Sequence, residues 1–162
     1  MAKIEPIGLY REPVRRSVTV GRLRDEAFEL FTAGIASWWP MDRYSVSQER
    51  TRNVVIEPRV GGGVYEERDD GATFPWGRVL AWEPPGRLVL SWHPGREPDV
   101  AQEVEVLFTA VDDVTRVDLE HRNWDKLGDD AANVRESYVN GWAEVLDHCF
   151  LGACAAGRAE SA

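Results

Sequence analysis

The chain has 162 residues, 43% of them hydrophobic and 29% charged, and a formal net charge of −9. Length and balance fit one folded domain with a core of useful size and exclude wholesale disorder. A chain this acidic is poorly suited to gripping nucleic acid or an anionic membrane through net charge, and no apolar run approaches the length of a membrane-spanning helix.

Residues 1–13 show no hydrophobic period and include Pro6, Gly8 and Pro13, so they read as a loose N-terminal arm. The opening MAKIEPIGLYREPV lacks the apolar stretch of a secretion signal, and the expected setting is a reducing cytoplasm. Val14, Arg16, Val18 and Val20 alternate with Arg15, Ser17 and Thr19, which predicts a first strand over 15–20. Asp25 then stands as the N-cap of a short helix carrying Phe28 and Phe31, with Gly34 as its stop. Trp38-Trp39-Pro40 follows, and Pro40 limits any second short helix.

From there to Trp124 the pattern is strands punctuated by turns. The predicted strands are 52–57, 62–68, 75–82, 87–93, 101–111 and 115–124. They are separated by Pro58 with Gly61-Gly62-Gly63, Asp69-Asp70-Gly71, Pro84-Pro85-Gly86, Pro94-Gly95 and Asp112-Asp113. Consecutive strands with short links and no helix between them predict an antiparallel meander. The glycine run is followed by neither Lys-Ser/Thr nor a helix, so it reads as a bend or bulge, not a phosphate loop.

A long helix is predicted from Asp130 to about Ala155, with Val134, Tyr138, Trp142, Val145, Leu146, Cys149 and Ala153 on one stripe. Gly141 lies in the stripe, at a cost of about 1 kcal/mol relative to alanine, which a close approach to sheet or ligand would explain. Residues 156–162 read as a frayed tail. Cys149 and Cys154, five apart on a helix, point to different sides, so neither a mutual disulfide nor a zinc site is expected.

Strand period sorts the faces. Leu88, Leu90 and Trp92, then Val104, Val106 and Phe108, then Val117, Leu119 and His121 should face the long helix. That places a titratable imidazole among apolar neighbours.

These pieces, in order, resemble the SRPBCC (START-like) superfamily, in particular the Hsp90 ATPase activator homologue C-terminal-domain-like family. The matching segments are VTV and AFELFT, WWP at Trp38–Pro40, EPRVGGGVYE at Glu57–Glu66 and WGRVLAWEPPGRLVLSW at Trp76–Trp92. TRVDLEHRNW at Thr115–Trp124 and YVNGWAEVLDHCF at Tyr138–Phe150 complete the set. The resemblance covers roughly Val14 to Leu151. It implies an α+β helix-grip fold over residues 14–155, a curved antiparallel sheet of about six to seven strands wrapped on the C-terminal helix, with a cavity between them. The superfamily includes ligand carriers, polyketide cyclases and co-chaperones, so fold alone does not name the activity.

In that fold Trp38, Trp39, Trp92, Phe108, His121, Tyr138 and Trp142 form the candidate ligand site, large flat rings with a few polar tips. His121 is its leading polar group, fit to hold a ligand's polar atom or to act as acid or base. Glu57 and Glu66 read as solvated strand positions and Arg78 as a surface residue. No nucleophile elbow or metal-ligand spacing occurs, and the histidines, His93, His121 and His148, are scattered. No catalytic residue is assigned and no metal or cofactor is expected. The leading function is binding of a small apolar or aromatic molecule. A cyclase or hydrolase-type enzyme using the same cavity is the first alternative, and a co-chaperone-like interaction module the second. The expected partner is a small hydrophobic or aromatic molecule, with no nucleic acid and no membrane span, and self-association as a homodimer stays open.

Overall fold

A computed structural model describes residues 12–161, with side chains as far as residue 156. Residues 1–11 of the expected arm, and residue 162, lie outside the described residues.

Seven strands form a single antiparallel sheet. They are β1 (Val14–Val20), β2 (Thr51–Ile56), β3 (Gly63–Arg68), β4 (Thr73–Glu83), β5 (Arg87–Trp92), β6 (Gln102–Val111) and β7 (Val114–Arg122). Their order across the sheet is β1-β7-β6-β5-β4-β3-β2. The sequential strands pair as hairpins, and the first strand closes onto the last, with Val18 opposite Val117. The side-chain alternation holds: Val104, Val106, Phe108, Val117, Leu119 and His121 are all buried on the concave face. On the convex face Arg122 pairs with Glu103, Glu105 and Glu120, and Arg87 with Glu105. These cross-strand pairs suit a wet surface and each adds little stability.

The curvature has a local cause. The ladder slips between Val64 and Tyr65 where β3 meets β4, and between Val79 and Ala81 where β4 meets β5. Each slip is a bulge, which bends a strand and deepens its twist. Pro75 can sit inside β4 because of such an irregularity. Gly77 is required by the same bend: a Cβ there would lie 1.8 Å from the Ser91 carbonyl oxygen. The β2–β4 half thereby curls over the concave face.

Helix α1 (Arg24–Thr32) begins differently from expectation. Leu23 is the N-cap, and its backbone N–H donates to Glu26 at 3.1 Å, while Asp25 lies inside the first turn. An acid within the first turn still favours the helix dipole. The helix ends at Thr32 with Ala33 as its cap, one residue ahead of Gly34.

The long C-terminal helix crosses the concave face as α2 (Ala131–Glu144), a π-helical turn (Val145–Phe150) and α3 (Leu151–Ser161). It runs past Ala155, where the predicted helix stopped and a frayed tail was expected. Trp142, Val145 and Leu146 are buried as the stripe predicts, but Cys149 and Ala153 are not. Phe150 and Cys154 take those buried positions instead. A π turn holds an extra residue, so the inward face arrives one position late in the sequence. Both cysteines are free thiols.

Candidate functional site

Between the curled sheet and α2 lies a cavity of about 380 Å³. The sheet supplies Trp76 from β4 and Trp92 from β5, and the helix supplies Tyr138, Gly141 and Trp142. Trp39 reaches it from the segment between α1 and β2, and that segment also forms the rim with Arg43, Tyr44, Ser45 and Val46.

The four indoles touch one another. Trp39 lies 5.3 Å from Trp76 and 5.9 Å from Trp142, and Trp92 lies 5.4 Å from Trp76, centroid to centroid. Tilted and edge-on pairs at these distances are the favoured arrangement of aromatic rings. Each indole N–H among them has a protein acceptor. Trp39 donates to the Tyr44 carbonyl at 2.7 Å, Trp76 to Glu66 at 2.6 Å, Trp92 to the Tyr138 hydroxyl at 3.0 Å, and Trp142 to His121 at 3.0 Å. These bonds hold the four indoles in place from within the protein.

Glu66 is fully buried, not at a solvated edge as its position in the sequence suggests. Its carboxylate accepts the backbone N–H groups of Val46 and Ser47, both at 2.7 Å, and the Trp76 indole. Buried charge is tolerated only with such partners. Glu66 therefore ties the rim segment to the sheet.

At the mouth, Tyr44 donates to Glu144 at 2.7 Å and Arg43 forms an ion pair with the same carboxylate. The Tyr44 hydrogen bond, with Arg43 beside it, holds the Glu144 carboxyl below its ordinary range, and that same bond pushes the Tyr44 phenol up. Deeper in, burial pushes the Tyr138 phenol up, so it stays neutral and keeps its proton to donate.

Of the residues singled out in the sequence, Trp39, Trp92, Tyr138 and Trp142 stand on the cavity wall. Trp38 and Phe108 lie beneath α1 instead. Trp38 packs on Phe31 and Phe150 and donates to the Leu30 carbonyl at 2.8 Å, and Phe108 stacks edge-on to Phe28. His121 sits behind Trp142, fully buried, with its ring stacked on Trp124 at 4.0 Å. An indole N–H can only donate, so Nδ1 of His121 is the acceptor and Nε2 carries the proton. Nε2 in turn donates to Gln102 at 3.2 Å, whose amide donates to the Val100 carbonyl at 2.6 Å. Burial lowers the His121 pKa to about 3, so the ring is a neutral strut. The sequence reading had missed Trp76, Arg43 and Tyr44. Trp76 was signalled only by an aromatic beside a strand glycine. Among the described residues, no group of three or more His, Cys, Asp or Glu is placed to hold a metal.

Such a chamber, with six aromatic rings in its lining and a few fixed polar groups, has the makeup of a small-molecule pocket. The seven-stranded curled sheet gripping a long C-terminal helix is the helix-grip architecture of SRPBCC proteins. Residues 24–149 match the family described as Activator of Hsp90 ATPase homolog 1-like protein, and the chain belongs to that family. No curated protein matches it by sequence. Among solved structures, it is similar to the anthrahydroquino-gamma-pyrone synthase Txn09, solved as a complex, at 37% identity. That match covers 76% of this chain and 84% of the other, with a TM-score of 0.56. The self-sacrificing resistance protein CalC from Micromonospora echinospora is 31% identical over 90% of this chain and 95% of its own, with a TM-score of 0.67. The Aha1 dimer from Colwellia psychrerythraea shares the fold at 15% identity and a TM-score of 0.58, covering 86% of this chain and 97% of its own.

Proposed function

We propose that this chain binds a small, flat apolar or aromatic molecule in the tryptophan-walled cavity. The observation that carries the reading is the wall itself, with Trp39, Trp76, Trp92 and Trp142 all lining one space of about 380 Å³. That volume falls in the range of small-molecule sites, about 300–1,000 Å³. The indole N–H groups of these four are already satisfied within the protein, so a guest gains by burying its own rings rather than by pairing with them. The name of the synthase relative, for a fused aromatic pyrone, points to the same ligand shape.

The experiment is a calorimetric and thermal-shift titration with soluble fused-ring aromatics, anthraquinone sulfonate among them. A binder should stabilise the fold by about 2.7 kcal/mol at a hundred times its dissociation constant. The Trp39 and Trp142 indole resonances should move most. Absence of binding across a broad aromatic set at millimolar concentration overturns the reading.

A second reading, a cyclase-type enzyme, is favoured by one observation: the 37% identical relative is a synthase. The neutral Tyr138 phenol is the group inside the cavity able to give a proton to a ligand oxygen. Mass analysis of linear polyketide-like substrates incubated with the protein separates the readings. Conversion makes it an enzyme, and unchanged recovery leaves a binder.

A further inference from the structure

We infer that the Tyr138 hydroxyl selects the ligand: it donates a hydrogen bond to an oxygen on an aromatic guest, so the cavity takes oxygenated aromatics, such as quinones, over plain carbocycles. This rests on the binding reading given above.

A phenol has one proton to donate and an oxygen that accepts. The Tyr138 oxygen accepts the Trp92 indole N–H at 3.0 Å. No acceptor for the Tyr138 proton occurs among the described residues, although its ring lies against His121, Trp124 and Trp142. Both imidazole nitrogens of His121 are already used, one by Trp142 and one by Gln102, so the nearest polar ring cannot take it. The remaining direction is the cavity, which Tyr138 lines. Buried polar groups are rarely left unpaired, and a guest oxygen there would complete the pairing. The Trp92 bond also fixes the donor: it clamps the oxygen, draws electron density toward Trp92 and leaves the O–H the more acidic for it. The Tyr44 hydroxyl does not compete, because it is committed to Glu144 at the mouth.

The test compares two probes that share rings and charge, anthraquinone sulfonate and anthracene sulfonate, on wild type and Tyr138→Phe. Wild type should hold the quinone at least about fivefold more tightly, the worth of one net hydrogen bond. Tyr138→Phe should remove that preference, bringing the ratio of the two affinities to about one whatever becomes of each. A general packing defect would weaken both probes alike, so the ratio isolates the hydroxyl. An equal wild-type affinity for the two, or a preference that survives in Tyr138→Phe, overturns the inference and leaves binding intact. Binding of neither probe by wild type overturns the inference together with the reading beneath it. Should Tyr138→Phe not fold, the infrared carbonyl stretch of the quinone bound to wild type decides. A shift to lower frequency supports the hydrogen bond, and an unshifted band refutes it.

Discussion

The Trp142 indole N–H donates to Nδ1 of His121 over 3.0 Å, joining the C-terminal end of α2 to the inner face of β7. One ring edge of Trp142 thus faces protein while the ring lines the cavity. The bond also fixes the His121 tautomer and extends through Gln102 to the Val100 carbonyl.

Stability should follow the protonation of His121. Its folded pKa, about 3, is depressed from 6.5. The unfolded chain therefore binds the extra proton between those values, and stability falls as pH drops through that window. The contribution is fully present above about pH 6.5 and is on the order of 5 kcal/mol over the whole window. Urea unfolding from pH 7 to pH 4 should show the loss, and His121→Gln should flatten it by about one proton. A wild-type stability flat across this range would contradict a buried neutral His121.

Trp142 should separate packing from hydrogen bonding. Trp142→Ala removes a buried indole and should cost about 3–5 kcal/mol. Trp142→Phe keeps most of the packing but orphans Nδ1, and should cost about 1–3 kcal/mol. Nitrogen chemical shifts of wild-type His121 should report the Nε2–H form, and the variant should relax that preference.

Glu66 should control the rim. Glu66→Ala leaves the Val46 and Ser47 amides and the Trp76 indole without their acceptor. The expected loss is at least about 3 kcal/mol, with faster hydrogen exchange at Val46 and Ser47. Glu66→Gln keeps the shape but turns an NH2 group toward N–H donors, so its cost should fall between wild type and alanine. Unchanged exchange at those two amides in Glu66→Ala would show that the rim is held by other contacts.

Gly141 should trade stability against binding. A Cβ there would meet Tyr44 at 3.5 Å, an ordinary contact, so Gly141→Ala is sterically admissible. Alanine in mid-helix should stabilise the fold by up to about 1 kcal/mol. The same methyl enters the cavity, so affinity for an aromatic probe should fall while the melting temperature rises. A rise in both would place the guest away from Gly141.

The inward sets of β5, β6 and β7 were legible because strand period is two and those strands pair without a slip. His121 was readable as inward for that reason. Its role was not, since the partners that use its two nitrogens come from α2 and the start of β6. Trp76 escaped notice because the register slips around β4 break its alternation. Trp38 and Trp39 are neighbours in sequence, and only the turn at Ile35–Ser37 decides that one faces α1 and the other the cavity. The stripe of the C-terminal helix was legible up to Leu146, inside a π turn (Val145–Phe150) that no helical period foretells.

Trp39, Trp76, Trp92 and Trp142 are linked by centroid distances of 5.3–6.1 Å and mutual tilts of 47–76°. Chromophores this close and this askew share their excited states, and the skew makes the shared states chiral. The protein should therefore show ultraviolet circular-dichroism bands of opposite sign that belong to the indoles and to neither helix nor strand. A guest resting against this wall disturbs the shared state of all four, so occupancy of the cavity becomes an optical property of the unlabelled chain.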